Sequence, residues 1–127
     1  MSSILFAYST YLKLKLGLCV LKITYIVNLM NTNEIKTYRL IIKGKVQEVG
    51  FRHWFSDLAI SLGLNGYIQN KESKDEVEAI IQGDMQSILS ITEKAKDGPS
   101  LALVEGVIPN SIISNVKYSG FIVKYEN

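Results

Sequence analysis

Residues 37–63 read TYRLIIKGKVQEVGFRHWFSDLAISLG, and the change of period inside this stretch decides the fold. From Thr37 to Lys43 the chain alternates, with Tyr38, Leu40 and Ile42 on one face and Arg39, Ile41 and Lys43 on the other, which predicts a half-buried strand. A loop bracketed by Gly44 and Gly50 follows. Phe51, Phe55, Leu58, Ala59 and Leu62 then recur at helical spacing as far as Gly63, a residue suited to closing a helix. A strand therefore passes into an amphipathic helix through a short glycine-bracketed turn.

Downstream, Asn65–Asn70 reads as a second strand and Glu76–Gln82 as a third, joined by the polar hairpin loop Lys71–Asp75. Asp84 can cap a second helix carrying Met85, Ile88, Leu89 and Ala95, which Gly98-Pro99 stops. Ser100–Ile108 reads as strand four and Phe121–Tyr125 as a short final strand. The order β-α-β-β-α-β plus a C-terminal strand predicts an α+β, ferredoxin-like sandwich. Its sheet is mainly antiparallel and both helices lie on one face.

The chain has 127 residues, room for one ordinary domain. Residues 34–127 are expected to form it, preceded by an N-terminal extension over 1–33. Leu16–Leu29 is mostly apolar, but Lys22 interrupts it, so no uncharged run reaches the roughly 18–20 residues needed to span a bilayer. A secretory signal would place its basic residues first and end in a small-x-small cleavage site, and this segment does neither. It reads as an upstream extension that the folded domain does not require. A targeting or membrane role, or an extra packed element, are the alternatives.

Composition narrows the chemistry. One His (His53) and one Cys (Cys19) exclude a disulfide framework, a Cys/His zinc site and a Cys–His nucleophilic pair. The formal charge of +2 comes from the extension, where Lys13, Lys15 and Lys22 face no acid. The rest of the chain carries 11 Lys+Arg against 12 Asp+Glu, which argues against a nucleic-acid-binding face. Asp75, Glu76 and Glu78 read as a solvated strand face and hairpin tip rather than a metal site, and His53 as a helix-surface residue.

The loop Gly44–Arg52 (GKVQEVGFR) is the informative feature. Successive backbone N–H groups in such a turn, with a helix N-terminus behind them, form a concave donor array suited to an anion. Arg52 at the helix start can place its guanidinium fork on two oxygens of a phosphate or carboxylate. A plain strand-to-helix turn with an exposed arginine fits the spacing equally well.

GKVQEVGFR resembles the acylphosphatase signature G-[RK]-V-Q-G-V-G-F-R. Gly66-Tyr67-Ile68-Gln69-Asn70 resembles that family's second motif, and VEAIIQG (Val77–Gly83), GPSLALVEGV and Phe121-Ile122-Val123 also fit. The resemblance implies metal-independent hydrolysis of an acyl phosphate to a carboxylate and inorganic phosphate, with no cofactor. It places the catalytic arginine on Arg52 and the catalytic asparagine on Asn70. The phosphate cradle falls on Lys45, Val46, Gln47, Glu48, Val49, Gly50 and Phe51. The partners it implies are a small-molecule acyl phosphate and inorganic phosphate. A cytoplasmic monomer is expected, with no nucleic acid and no membrane. Two departures stand out: Glu48 where the family has glycine, and a hairpin, NKESKDEVE, without the usual Asp-Gly. A carboxylate in the cradle either repels the substrate or points to solvent. The alternative function is a non-catalytic anion-binding module of the same fold.

Overall fold

A computed structural model describes residues 34–125. Strand β1 (Lys36–Lys45) leads through the glycine-bracketed loop into helix α1 (Phe51–Ser61), followed by β2 (Asn65–Asn70) and β3 (Glu76–Gly83). Helix α2 (Met85–Ala95), β4 (Leu103–Ile112) and β5 (Phe121–Lys124) complete the order. The sheet runs β4-β1-β3-β2-β5. Every pairing is antiparallel except β2 with β5, which is parallel. This is the ferredoxin-like plan expected from the periodicity, with one edge strand added beside β2.

Both helices pack on one face. Phe51, Phe55 and Ala59 of α1 and Ile88, Ile91 and Ala95 of α2 are buried against Leu40, Ile42, Ile68, Val77, Ala79 and Ile81 of the sheet. The stripe of α2 is therefore centred on Ile88, Ile91 and Ala95, with Leu89 only half-buried at its border. Asp84 caps that helix as expected, accepting from the Ser87 N–H at 2.7 Å. Helix α1 ends in a paired turn: the Gly63 N–H donates to Ile60 and the Leu64 N–H to Ala59, which satisfies two of its last carbonyls.

Strand four lies later than the sequence predicts. Ser100 and Leu101 belong to a turn in which the Ala102 N–H donates to the Pro99 carbonyl, and pairing with β1 runs from Leu103 to Ile112. Pro109, opposite Leu40, does not end the strand. A strand at the sheet edge needs hydrogen bonds on one side only, so a missing N–H there is tolerated.

The face away from the helices differs from expectation too. Glu78 is buried, not solvated: Arg39 approaches it at 3.4 Å and the Gln69 amide donates to it at 2.8 Å. Tyr67 and Tyr118 meet edge to face, and the Lys124 ammonium sits 3.7 Å from the centre of the Tyr67 ring. Burial raises the Tyr67 hydroxyl's pKa, with the nearby Glu78 charge adding to it. Aromatic and basic side chains do therefore share this face. Glu78 and Glu76 pair with Arg39 and Lys43, however, so the face is not an open cationic one.

Candidate active site

The cradle begins where β1 breaks register with β4, between Lys43 and Gly44. A Cβ on Gly44 would lie 2.1 Å from the Leu103 carbonyl oxygen, and its φ of +130° is one that L side chains rarely adopt. Glycine is what lets β4 approach there. The side chains of Val46 and Phe51 are buried and that of Val49 packs against the core. All three face inward, and only their backbone can meet a ligand. Lys45 and Glu48 are exposed. Glu48 (φ 62°) and Gly50 (φ 80°) adopt left-handed conformations, a geometry that turns successive amides toward a common side. Helix α1 starts at Gly50 without a side-chain cap and without an acid in its first turn. Its leading N–H groups have no acceptor within the helix.

Two ties hold this loop to the β2–β3 hairpin. The Gly44 N–H donates to the Asp75 carbonyl at 2.9 Å. The Gln47 side-chain amide nitrogen lies 3.0 Å from the Lys71 carbonyl oxygen, 3.1 Å from that of Ser73 and 2.8 Å from that of Glu76, its two hydrogens shared among them. The Gln47 side chain thus serves as the fastener of the loop.

Asn70 closes β2 at the root of the same hairpin. Among the described residues its Oδ1 is the one buried side-chain polar atom without a hydrogen-bond partner. Leaving a buried acceptor unpaired costs about 1–3 kcal/mol, so such an atom points to a donor that arrives from outside the chain. Arg52 occupies the first turn of α1. Its Nη1 donates to the Lys124 carbonyl at 2.9 Å, and its guanidinium carbon lies 4.7 Å from the centre of the Tyr125 ring. Lys124 pairs across the sheet with Gln69, the neighbour of Asn70. The cradle, Arg52 and Asn70 therefore gather at one end of the sheet.

The C-terminal contacts of Arg52 and the fastening by Gln47 carry no sequence signal. They join residues far apart in the chain, and nothing in the local pattern marks them. Cavities of about 580 and 250 Å³ lie at the opposite end, where β1 begins, the larger one lined by Thr37, Asn65, Gln82 and Tyr118 among others. Gln82 there is already spent on Thr37, Val116 and Tyr118. Neither hollow is lined by any residue of the loop Gly44–Arg52. Among the described residues no three His, Cys, Asp or Glu side chains come together as metal ligands.

A glycine-bracketed strand–loop–helix turn with Arg52 and Asn70 at the same end of a five-stranded ferredoxin-like sheet is the arrangement to compare with known α+β domains. The acylphosphatase family model matches residues 38–123, and the chain belongs to that family. An acylphosphatase of Dehalococcoides mccartyi is 40% identical over 87 residues, covering 68% of this chain and 96% of its own. One from Caldivirga maquilingensis is 35% identical over 88 residues, covering 69% and 93%. Among solved structures, an acylphosphatase from Coxiella burnetii superposes with a TM-score of 0.67 at 33% identity, over 71% of this chain and 93% of that one. Acylphosphatase from Bacillus subtilis gives 0.68 at 27% identity, over 72% of this chain and all (100%) of that one.

Proposed function

We propose that Arg52, Asn70 and the backbone of Lys45–Phe51 carry the acylphosphatase reaction of this chain, the hydrolysis of an acyl phosphate to a carboxylate and inorganic phosphate. The carboxylate is a good leaving group, so the reaction needs neither a strong acid nor a covalent nucleophile. It needs a held phosphoryl group, compensation of the charge spread over its oxygens, and a water aligned for in-line attack. The cradle amides, the helix N-terminus and the Arg52 fork do the first two. Asn70 does the third: its Oδ1 accepts a hydrogen bond from the attacking water and so orients it. The water oxygen bonds to phosphorus as the acyl oxygen–phosphorus bond breaks, the carboxylate keeps the bonding pair, and inorganic phosphate leaves with the water's two protons.

The buried, unpaired Oδ1 of Asn70 is the observation that supports this reading most directly. A lone cysteine, Cys19, fits a reducing compartment such as the cytoplasm. The paired charges on the far face argue against nucleic acid as a partner.

Arg52→Ala is expected to abolish hydrolysis and to remove competitive inhibition by inorganic phosphate. Asn70→Ala is expected to lower kcat by at least about a hundredfold, while the phosphate inhibition constant stays within a few-fold. Steady-state assays with an aryl acyl phosphate in the presence of a chelator read both. Ordinary activity in Arg52→Ala refutes the site, and loss of phosphate binding in Asn70→Ala moves that residue from water to substrate. A folded wild type inactive on every acyl phosphate tried would favour the anion-binding module.

A further inference from the structure

The only histidine of the chain follows Arg52 directly and is exposed on the first turn of α1. Its Nε2 lies 2.6 Å from the Tyr125 hydroxyl, and the two rings tilt toward one another at 6.0 Å. The same Tyr125 ring lies under the Arg52 guanidinium, and the preceding residue, Lys124, accepts the Arg52 Nη1 hydrogen on its carbonyl. Two consecutive residues of α1 thus grip two consecutive residues at the end of β5.

We propose that His53 is a positioning residue for the acylphosphatase reaction: it fixes the Tyr125 ring, and the ring with the Lys124 carbonyl fixes the guanidinium of Arg52. The inference rests on the assignment of Arg52 to the phosphoryl group made above. An arginine side chain has many rotamers, and freezing it at the moment of binding costs conformational entropy. A cation seated on an aromatic face, with one nitrogen held by a carbonyl, meets that cost before the ligand arrives. The nitrogens not engaged by Lys124 remain as donors for phosphate oxygens. Tyr125 is 63% exposed and its ring is not in the buried core of the described residues, so its hydroxyl contact with His53 is what restrains its tilt. Held through the ring, Arg52 is aimed by a residue that never touches the substrate.

The test is a double-mutant cycle on the full chain, read by the inhibition constant of inorganic phosphate, by kcat and KM, and by the unfolding midpoint. His53→Ala and Tyr125→Phe each break the hydroxyl–imidazole contact, and Tyr125→Phe keeps the ring. Each is expected to raise the phosphate constant and KM by about three- to fivefold, the double variant no further than either single one, with kcat within twofold and the midpoint unchanged. His53→Gln, whose amide can reach the same hydroxyl, is expected to restore most of the loss. Tyr125→Leu removes the ring and is expected to weaken phosphate more than Tyr125→Phe does. The proposal is overturned if the single variants leave phosphate binding unchanged, if their effects multiply in the double variant, or if the loss follows a drop in the midpoint. Failure of the Arg52 assignment looks different, because Arg52→Ala would then still bind phosphate.

Discussion

At position 48 the loop between β1 and α1 carries a carboxylate on a left-handed backbone, which entails two separable costs. Glu48 sits at φ 62°, the left-handed region that a residue with a Cβ occupies at a penalty of about 1–2 kcal/mol. Glycine removes the penalty but gains freedom in the unfolded chain, which takes back roughly 0.4–1 kcal/mol. Glu48→Gly is therefore expected to stabilise the fold by about 0.5–1 kcal/mol, or about 2–8 °C in Tm for a domain of this size. The second cost is charge. A carboxylate about 8 Å from a phosphoryl group repels it by roughly 0.5–2 kcal/mol per pair of unit charges, at an effective dielectric of about 80 to 20. Glu48 is exposed, so the weaker end applies. Removing the charge should raise kcat/KM by about two- to fivefold at low salt.

Glu48→Gln separates the two costs, because it keeps the Cβ and loses the charge. It should match Glu48→Gly in kcat/KM and match the wild type in thermal unfolding. Added salt should narrow the activity gap, since exposed charges are screened within ~8–10 Å at ordinary ionic strength. The assay is kcat/KM for an aryl acyl phosphate across a salt series, alongside melting curves of the three proteins. Equal kcat/KM in the Glu, Gln and Gly forms at low salt refutes the electrostatic argument. A Glu48→Gly protein no more stable than Glu48→Gln refutes the conformational one.

Gln47→Ala should loosen the cradle from its hairpin, lowering stability by about 1–3 kcal/mol as three carbonyls lose a shared donor, and raising KM for acyl phosphate more than it lowers kcat. A melting curve and a KM both unchanged would show that the fastening has no energetic role. Deleting residues 1–33 should leave Tm and kcat/KM within experimental scatter, because residues 34–125 bury a continuous core of their own. An insoluble or unfolded truncation would show that the extension packs.

Most of the architecture was legible because its signals are local. The switch from alternation at Thr37–Lys43 to helical spacing at Phe51–Leu62, the cap at Asp84 and the stop at Gly98-Pro99 each act within a few residues. Strand four reads as Ser100–Ile108 on the same local basis, ahead of its place at Leu103–Ile112. Pro109 looks like a terminator when read locally, and only the position of β4 at the sheet edge makes it harmless. The acidic face misleads likewise, since Glu78 is buried by Arg39 and Gln69, each of them on a neighbouring strand. In the candidate site, Arg52 and Asn70 stand out in the sequence through the motifs that hold them, whereas their surroundings do not. Gln47 reads as one more cradle residue until its contacts with Lys71, Ser73 and Glu76 show what its side chain does. The partners of Arg52, Lys124 and Tyr125, are the last residue of β5 and the one after it, and the four residues of that strand promise little more than an edge. Groups that meet the substrate are constrained by chemistry and so leave a pattern in the sequence. Groups that aim them need only arrive at the right place in the fold, and many residue types at many positions can do that. An orphaned Oδ1 on Asn70 and a guanidinium stacked on Tyr125 are accordingly seen only once the chain is folded, and they turn a motif match into a testable geometry.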